Sequence, residues 1–237
     1  VTDEKGAVVG AELVKGYVFP KEDSGTRMFV RARKGVVVAG GGFSQNVKLR
    51  MLHDPRLGPQ LESTNQPGAT GDAMMAAQRI GAADVQMDWI QLGPWTSPDE
   101  QGFGVAPLFV ESAVGYGPMV DPATGKRFIK ETGNRKVRAD AIVAIGHPCV
   151  IYTSLENAKN VIIGKNMTPE IYERARKSGV VKEYPTLKAM ADDLKIPYDE
   201  LKKTNDTFNG YMAAKKDPDF DCMFFDNSKP NTDGPFL

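Results

Sequence analysis

Cationic side chains gather at one point of this sequence. Asn134-Arg135-Lys136-Val137-Arg138 follows the polar break Glu131-Thr132-Gly133. Val137, Ala141, Ile142 and Ile145 recur behind it at helical spacing, so a helix is predicted with Asn134 as its N-cap. The free N–H groups of a helix start, crowded by Arg135, Lys136 and Arg138, make a good anion site. The same residues also fit a solvated basic helix start. Glu111 is the second candidate for chemistry. It stands in the otherwise apolar run Val105 to Ala113, where a carboxylate is costly unless paired or unless an alternating strand turns it to solvent.

Two glycine-bearing segments could receive a cofactor. Ala39-Gly40-Gly41-Gly42 follows the β-branched run Val36-Val37-Val38, which reads as a strand buried on both faces. Bare glycines after such a strand allow another group to approach the backbone, and they serve equally as a tight turn. Asn65-Gln66-Pro67-Gly68-Ala69-Thr70-Gly71-Asp72 opens an amphipathic helix closed by Gly81. Its N–H groups could meet an anionic or polar cofactor edge, or simply punctuate a loop.

These candidates need elements to hold them. Residues 7 to 15 and 28 to 32 alternate like antiparallel strands around Asp23-Ser24-Gly25. Short strands are expected at Asp88 to Leu92, Lys126 to Ile129 and Cys149 to Tyr152, with Val105 to Ala113 alternating as well. The last third reads as helices: Leu155 to Ile162, Pro169 to Ser178 with Gly179 as stop signal, Thr186 to Leu194, and one opened by Pro197 with Leu201, Thr204, Phe208 and Tyr211 on one face. Their Met and aromatic positions read as core.

Composition removes several function classes. The 237 residues carry 30 Lys plus Arg and 30 Asp plus Glu, a formal net charge of zero. That charge gives no reason to expect nucleic acid or a membrane surface as a partner. No apolar run reaches the roughly 18 residues of a membrane span. Cys149 and Cys222 are isolated, and His53 and His147 share no ligand spacing with them, so neither a disulfide framework nor a metal centre is expected. The start at Val1-Thr2-Asp3-Glu4 and the apolar stop at Gly234-Pro235-Phe236-Leu237 read as those of an internal piece of a longer protein.

Four motifs in order resemble the fumarate reductase/succinate dehydrogenase flavoprotein family, in its soluble branch of flavocytochrome c, urocanate reductase and ketosteroid dehydrogenases. They are Val36-Val37-Val38-Ala39-Gly40-Gly41-Gly42-Phe43-Ser44-Gln45-Asn46, then Pro67-Gly68-Ala69-Thr70-Gly71-Asp72 with Ala73 in place of a last glycine. Gly125-Lys126-Arg127-Phe128-Ile129-Lys130-Glu131 with Arg135 is the third, and a paired-helix segment holding Phe208-Asn209-Gly210 the fourth. The resemblance implies an α+β chain. Residues 1–88 would be part of a FAD-binding domain without its dinucleotide fingerprint, 89–233 the capping or clamp domain, and 234–237 the return to the FAD domain.

By that resemblance FAD is the cofactor, held through Ala39, Gly40, Gly41 and Gly42 and through Gly68, Ala69, Thr70, Gly71 and Asp72. Hydride from the flavin goes to one carbon of an activated C=C bond, and Arg135 gives a proton to the other. A guanidinium normally stays charged, so it must be reprotonated through neighbours. Glu111 matches the carboxylate of the family's proton relay. The relay's arginine position is Val114 here, and Arg138 is the candidate substitute.

The substrate-binding positions depart further. Gly93 stands where fumarate reductases have a carboxylate-binding histidine, and Val110 where they have a threonine. The resemblance therefore implies a larger, less polar unsaturated acid, arylacrylate- or urocanate-like rather than fumarate, with Trp95, Phe103 and Tyr116 either lining a roomier pocket or packing. A haem or a quinol is the implied electron donor, and an extracytoplasmic location is common among such relatives. Two other readings stand beside this one: a capping fragment that binds no flavin of its own, and a ketosteroid-dehydrogenase-like member. The steroid enzymes use tyrosines rather than this arginine.

Overall fold

The computed structural model describes residues 1–93, 100, 106–161, 167–232 and 234–237. The chain divides into two compact units, Val1–Ile90 and Gln91–Leu237.

In the first unit, β1 (Gly10–Lys15) and β2 (Thr26–Arg31) form an antiparallel hairpin with Gly10 opposite Arg31 and Lys15 opposite Thr26. Two short helices follow, α1 (Val47–His53) and α2 (Asp72–Gln78). Asn46 caps α1 by accepting from Leu49 N at 3.0 Å. The Arg50 side chain, buried on α1, donates to the carbonyls of Ser44, Gly58 and Leu61 at 2.9–3.0 Å. One guanidinium thus fixes three turns of loop, and burial lowers its pKa.

The expected buried strand at Val36 to Ala39 is not formed. These residues carry no strand pairing, and Val37 is 89% exposed. Apolar β-branched residues announce a strand only when neighbouring strands cover both faces, and no described strand of this unit pairs with them. The strand expected at Asp88 to Leu92 is likewise absent: Met87-Asp88 is a turn closed by Trp89 N to Gln86 O at 2.9 Å. Helix α2 ends at Gln78, ahead of Gly81, which adopts a left-handed φ of +96°.

The second unit holds most of the buried apolar side chains. A three-stranded antiparallel sheet has the order β4-β3-β5, with β3 (Met119–Asp121), β4 (Lys126–Arg127) and β5 (Val150–Ile151). Around it stand α3 (Ala106–Ala113), α4 (Arg135–Ile145), α5 (Leu155–Val161), α6 (Pro169–Ser178), α7 (Leu187–Asp193) and α8 (Tyr198–Ala214). Thr168 caps α6 and Thr186 caps α7, each accepting from the N–H three residues on. Gly179 closes α6 in the left-handed conformation that glycine adopts without strain.

Three apolar clusters make the core, centred on Phe109, Tyr172 and Ala175; on Val120, Tyr152, Met190 and Leu201; and on Phe208, Met212 and Phe224. The Met and aromatic positions expected as core are therefore core. Residues 234–237, expected to lead back to the FAD domain, pair inside this unit: Phe236 exchanges backbone bonds with Tyr184 and Leu237 with Thr153. The strand expected from Lys126 to Ile129 is two residues long, and Ile129 is buried beyond its end.

One correction bears on function. The run expected as an alternating strand through Ala113 is the helix α3 from Ala106. Phe109 and Ala113, one helical turn apart, are buried, and Glu111 lies between them on the open side. A run of mixed small and large apolar residues satisfies a strand or a helix by hydrophobicity alone, and here tertiary packing selects the helix.

Candidate functional site

Helix α4 begins where its sequence requires. The Asn134 side chain accepts from Lys136 N at 2.9 Å, and Gly146 closes the helix with φ +82°. The buried face is not the expected one. Val137 is 62% exposed, while Arg138 and Ala139 are buried. A rotation of about one residue from the apolar pattern thus puts a guanidinium into the protein.

That rotation brings three charged side chains together. Arg135 Nη2 stands 3.5 Å from Glu111 Oε1, with both side chains about half exposed. Burial lowers the pKa of Arg138; Glu111 opposes that effect, Arg135 reinforces it, and Glu131 opposes it again. Arg138 therefore holds its proton less tightly than an ordinary arginine. Lys136 is turned away and bonded to Asp140 at 2.5 Å. An accessible guanidinium with a carboxylate beside it, in the field of a buried guanidinium, can bind an anionic group and exchange a proton with that carboxylate.

The other expected site residues of this unit are placed differently from one another. Val110 lies on α3 next to Glu111, and Val114 follows the end of that helix. Gly93 is exposed. Tyr116 is buried: its ring stacks on Phe225 at 5.1 Å and its hydroxyl bonds Asn227 Oδ1 at 2.9 Å. Trp95 and Phe103 lie outside the described residues.

In the first unit the two glycine segments are fastened side by side. Gln45 N donates to Ala69 O at 2.9 Å, Asn46 Nδ2 to Thr70 O at 3.1 Å and Asn65 Nδ2 to Ser44 Oγ at 2.7 Å. Gly71 takes φ +78° before Asp72, the first residue of α2, and a Cβ there would meet Phe43 Cβ at 2.8 Å. A Cβ on Gly40 would meet Ala73 Cβ at 2.7 Å. By contrast a Cβ on Gly41, Gly42 or Gly68 would meet nothing within 4 Å. The segments touch through two glycines and offer bare open backbone at three more. Ala39 and Asp72 flank them in exposed positions, while Ala69 and Thr70 are partly covered. This arrangement fits the polar edge of a dinucleotide cofactor.

Sequence reasoning passed over a buried ionic cluster. Arg127, at the end of β4, donates to Glu131 Oε1 at 2.9 Å, to Glu131 Oε2 at 2.7 Å and to Asp217 Oδ2 at 2.7 Å. Its guanidinium lies between the rings of Phe208 and Phe220, 4.7 and 4.9 Å from their centroids. Burial opposes its charge, but the bonds to both carboxylates outweigh burial and raise its pKa. Glu131, Asp217 and Cys222 also offer three ligand-type atoms within 4.8 Å of one another; the cation beside these carboxylates is the Arg127 guanidinium. Arg127 and Glu131 were visible in the third motif, four residues apart. Asp217 carried no signal, because its contact with Arg127 is made only in the fold.

The whole chain, residues 1–237, matches the family model for the FAD binding domain. The chain belongs to that family, and FAD is the cofactor its members carry. Among curated relatives it is 38% identical over 226 residues to the acrylate reductase flavoprotein subunit of Shewanella woodyi, covering 93% of this chain and 43% of the relative. It is 29% identical over 225 residues to the urocanate reductase of Eggerthella lenta, covering 93% of this chain and 35% of the relative. Its fold matches the open conformation of a flavocytochrome c3 fumarate reductase with a TM-score of 0.69 and 25% identity, over 100% of this chain and 38% of that one. The chain thus spans less than half the length of these relatives. The resemblance read from the four motifs is confirmed. Among the described residues no helix is long and apolar enough to cross a membrane.

Proposed function

We propose that this chain is part of an FAD-dependent oxidoreductase that reduces a C=C bond conjugated to a carboxylate. In this reading residues 1–88 contribute to the FAD domain and residues 89–233 form the capping domain. Arg135 is the proton donor. The observation that carries the reading is the Arg135–Glu111 pair at 3.5 Å with the buried Arg138 in its field, supported by relatives that include an acrylate reductase and a urocanate reductase.

FAD, when bound, would supply the hydride for one carbon of the double bond. Arg135 gives its Nη proton to the other carbon, so the alkene gains one hydride and one proton and becomes saturated. The neutral guanidine left behind is reprotonated through Glu111. Arg138 stands next in the path, with a proton held less tightly than usual. The half-exposed Arg135 is also placed to bind a substrate carboxylate.

The substrate is an α,β-unsaturated monocarboxylate. Gly93 and Val110 bring no side-chain hydrogen-bond donor to the two positions where, by the resemblance to fumarate reductases, a second carboxylate would be held. Two missing bonds to a charged group remove about 3 kcal/mol or more, on the order of 100-fold in affinity. The test is turnover of the full-length protein with a chemically reduced viologen as electron donor. Acrylate, cinnamate and urocanate are compared with fumarate. The reading expects at least one monocarboxylate to reoxidise the donor, with fumarate far slower. No reoxidation by any 2-enoate would overturn it.

A further inference from the structure

Arg127 closes a clamp around the segment that delivers Arg135. It ties Glu131 to Asp217, which lies beyond the far end of α8. Glu131 in turn accepts from Met119 N on β3 at 3.0 Å. The following residue, Thr132, accepts from Met223 N at 3.0 Å and reaches Cys222 Sγ at 3.6 Å. Asp217 accepts the N–H groups of Asp219, Phe220 and Cys222 at 3.1–3.2 Å. Residues 127 to 132 are therefore fastened on both sides. Only Gly133 and the N-cap Asn134 separate them from Arg135.

A simple ion pair would not need this construction. The carboxylates are fully buried and the guanidinium is 6% exposed. Burying such a group yields little net stability over a well-packed apolar core. What it supplies is fixed geometry: a planar, two-sided fork that a lysine cannot reproduce. That geometry ends at the first residue of α4.

We infer that Arg127, with Glu131 and Asp217, is a positioning device that holds the start of α4 so that Arg135 keeps its register beside Glu111. This inference rests on the proposed role of Arg135. The clamp touches no reacting atom and acts only through the placement of that side chain.

The test uses Arg127→Lys and the near-isosteric Asp217→Asn in the full-length flavoprotein, each alone and combined with Arg135→Lys. Flavin reduction by the donor and flavin reoxidation by a 2-enoate are followed separately. Amide exchange is followed through residues 135–138 and, as a control, through α6. Reoxidation is expected to slow about 10- to 100-fold. Donor-driven reduction should be unchanged, and amide exchange should be faster at the start of α4 but not in α6. In the Arg135→Lys background the clamp substitutions should add nothing to the slowing. An unchanged reoxidation rate, or the same slowing in both backgrounds, would overturn the inference, as would faster exchange everywhere. If Arg127→Lys does not fold, Asp217→Asn carries the test alone. If Arg135→Lys itself turns over normally, the proton-donor reading fails, and the exchange data still decide whether the clamp holds α4.

Discussion

The Glu111 carboxylate and the Arg135 guanidinium meet at 3.5 Å, the first from α3 and the second from the opening residue of α4. Both are about half exposed, so the pair contributes at most about 1 kcal/mol to stability. Its value is in the reaction. Glu111→Gln should leave the melting temperature nearly unchanged and slow turnover roughly 100-fold, within the range for a proton-transfer group. Thermal melts and turnover on the same preparation check both parts.

The clamp gives the opposite balance. Arg127→Met leaves two carboxylates buried without their cation and should cost about 3–5 kcal/mol near neutral pH. The pH dependence should reverse as well. In the native protein burial raises the Asp217 pKa, but the Arg127 contacts and two backbone N–H groups outweigh it and hold the carboxyl below its usual value. Its contribution is therefore complete above the unfolded pKa of about 3.9 and is lost as pH falls through the lower folded value. Without Arg127, burial raises the pKa instead, and protonation relieves the fold. Melts at mildly acidic and neutral pH should show the native protein no more stable in acid and Arg127→Met more stable in acid.

Asn231 is a hub. Its side chain accepts from Ser154 N at 2.7 Å and Asn157 Nδ2 at 2.9 Å, and donates to Tyr116 O at 2.8 Å; its own carbonyl accepts from Asn205 and Asn209. Asn231→Ala strands several buried polar groups and should cost on the order of 3 kcal/mol. Chemical denaturation should register this as a lower midpoint with an unchanged slope.

The glycine segments yield a cofactor prediction. Gly40→Val places side-chain atoms against Ala73, and Gly71→Ala adds a methyl group against Phe43 at a left-handed φ, which alone costs about 1–2 kcal/mol. Both should weaken retention of FAD after desalting. Gly81→Ala is the control: it has a similar backbone strain with nothing within 4 Å of its Cβ, and it should keep the cofactor. Flavin absorbance per mole of protein is the readout.

Much of this was legible in the sequence wherever the signal was local. Asn134 as N-cap, Gly179 as helix stop, the Pro197 helix start and the hairpin around Asp23-Ser24-Gly25 all depend on short-range chemistry. Val36 to Val38 misled because a buried parallel strand is defined by neighbours that the run itself does not contain. Val105 to Ala113 misled because an apolar run fits either period. Val137 reads as an inward residue of α4 by its spacing with Ala141, yet the fold turns the Arg138 guanidinium in and leaves the valine outside. The clamp is half visible in the sequence: Arg127 and Glu131 fall within one motif, while Asp217 enters from a distant loop.

The central claim is that Arg135 supplies the proton to the reduced double bond. The most direct test is the rate at which a 2-enoate reoxidises pre-reduced flavin in the full-length protein and in its Arg135→Lys variant, both shown to be folded and flavin-loaded. The account predicts that the native protein reoxidises, while the variant stays reduced, slower by about 100-fold or more. Equal rates in the two proteins would contradict it.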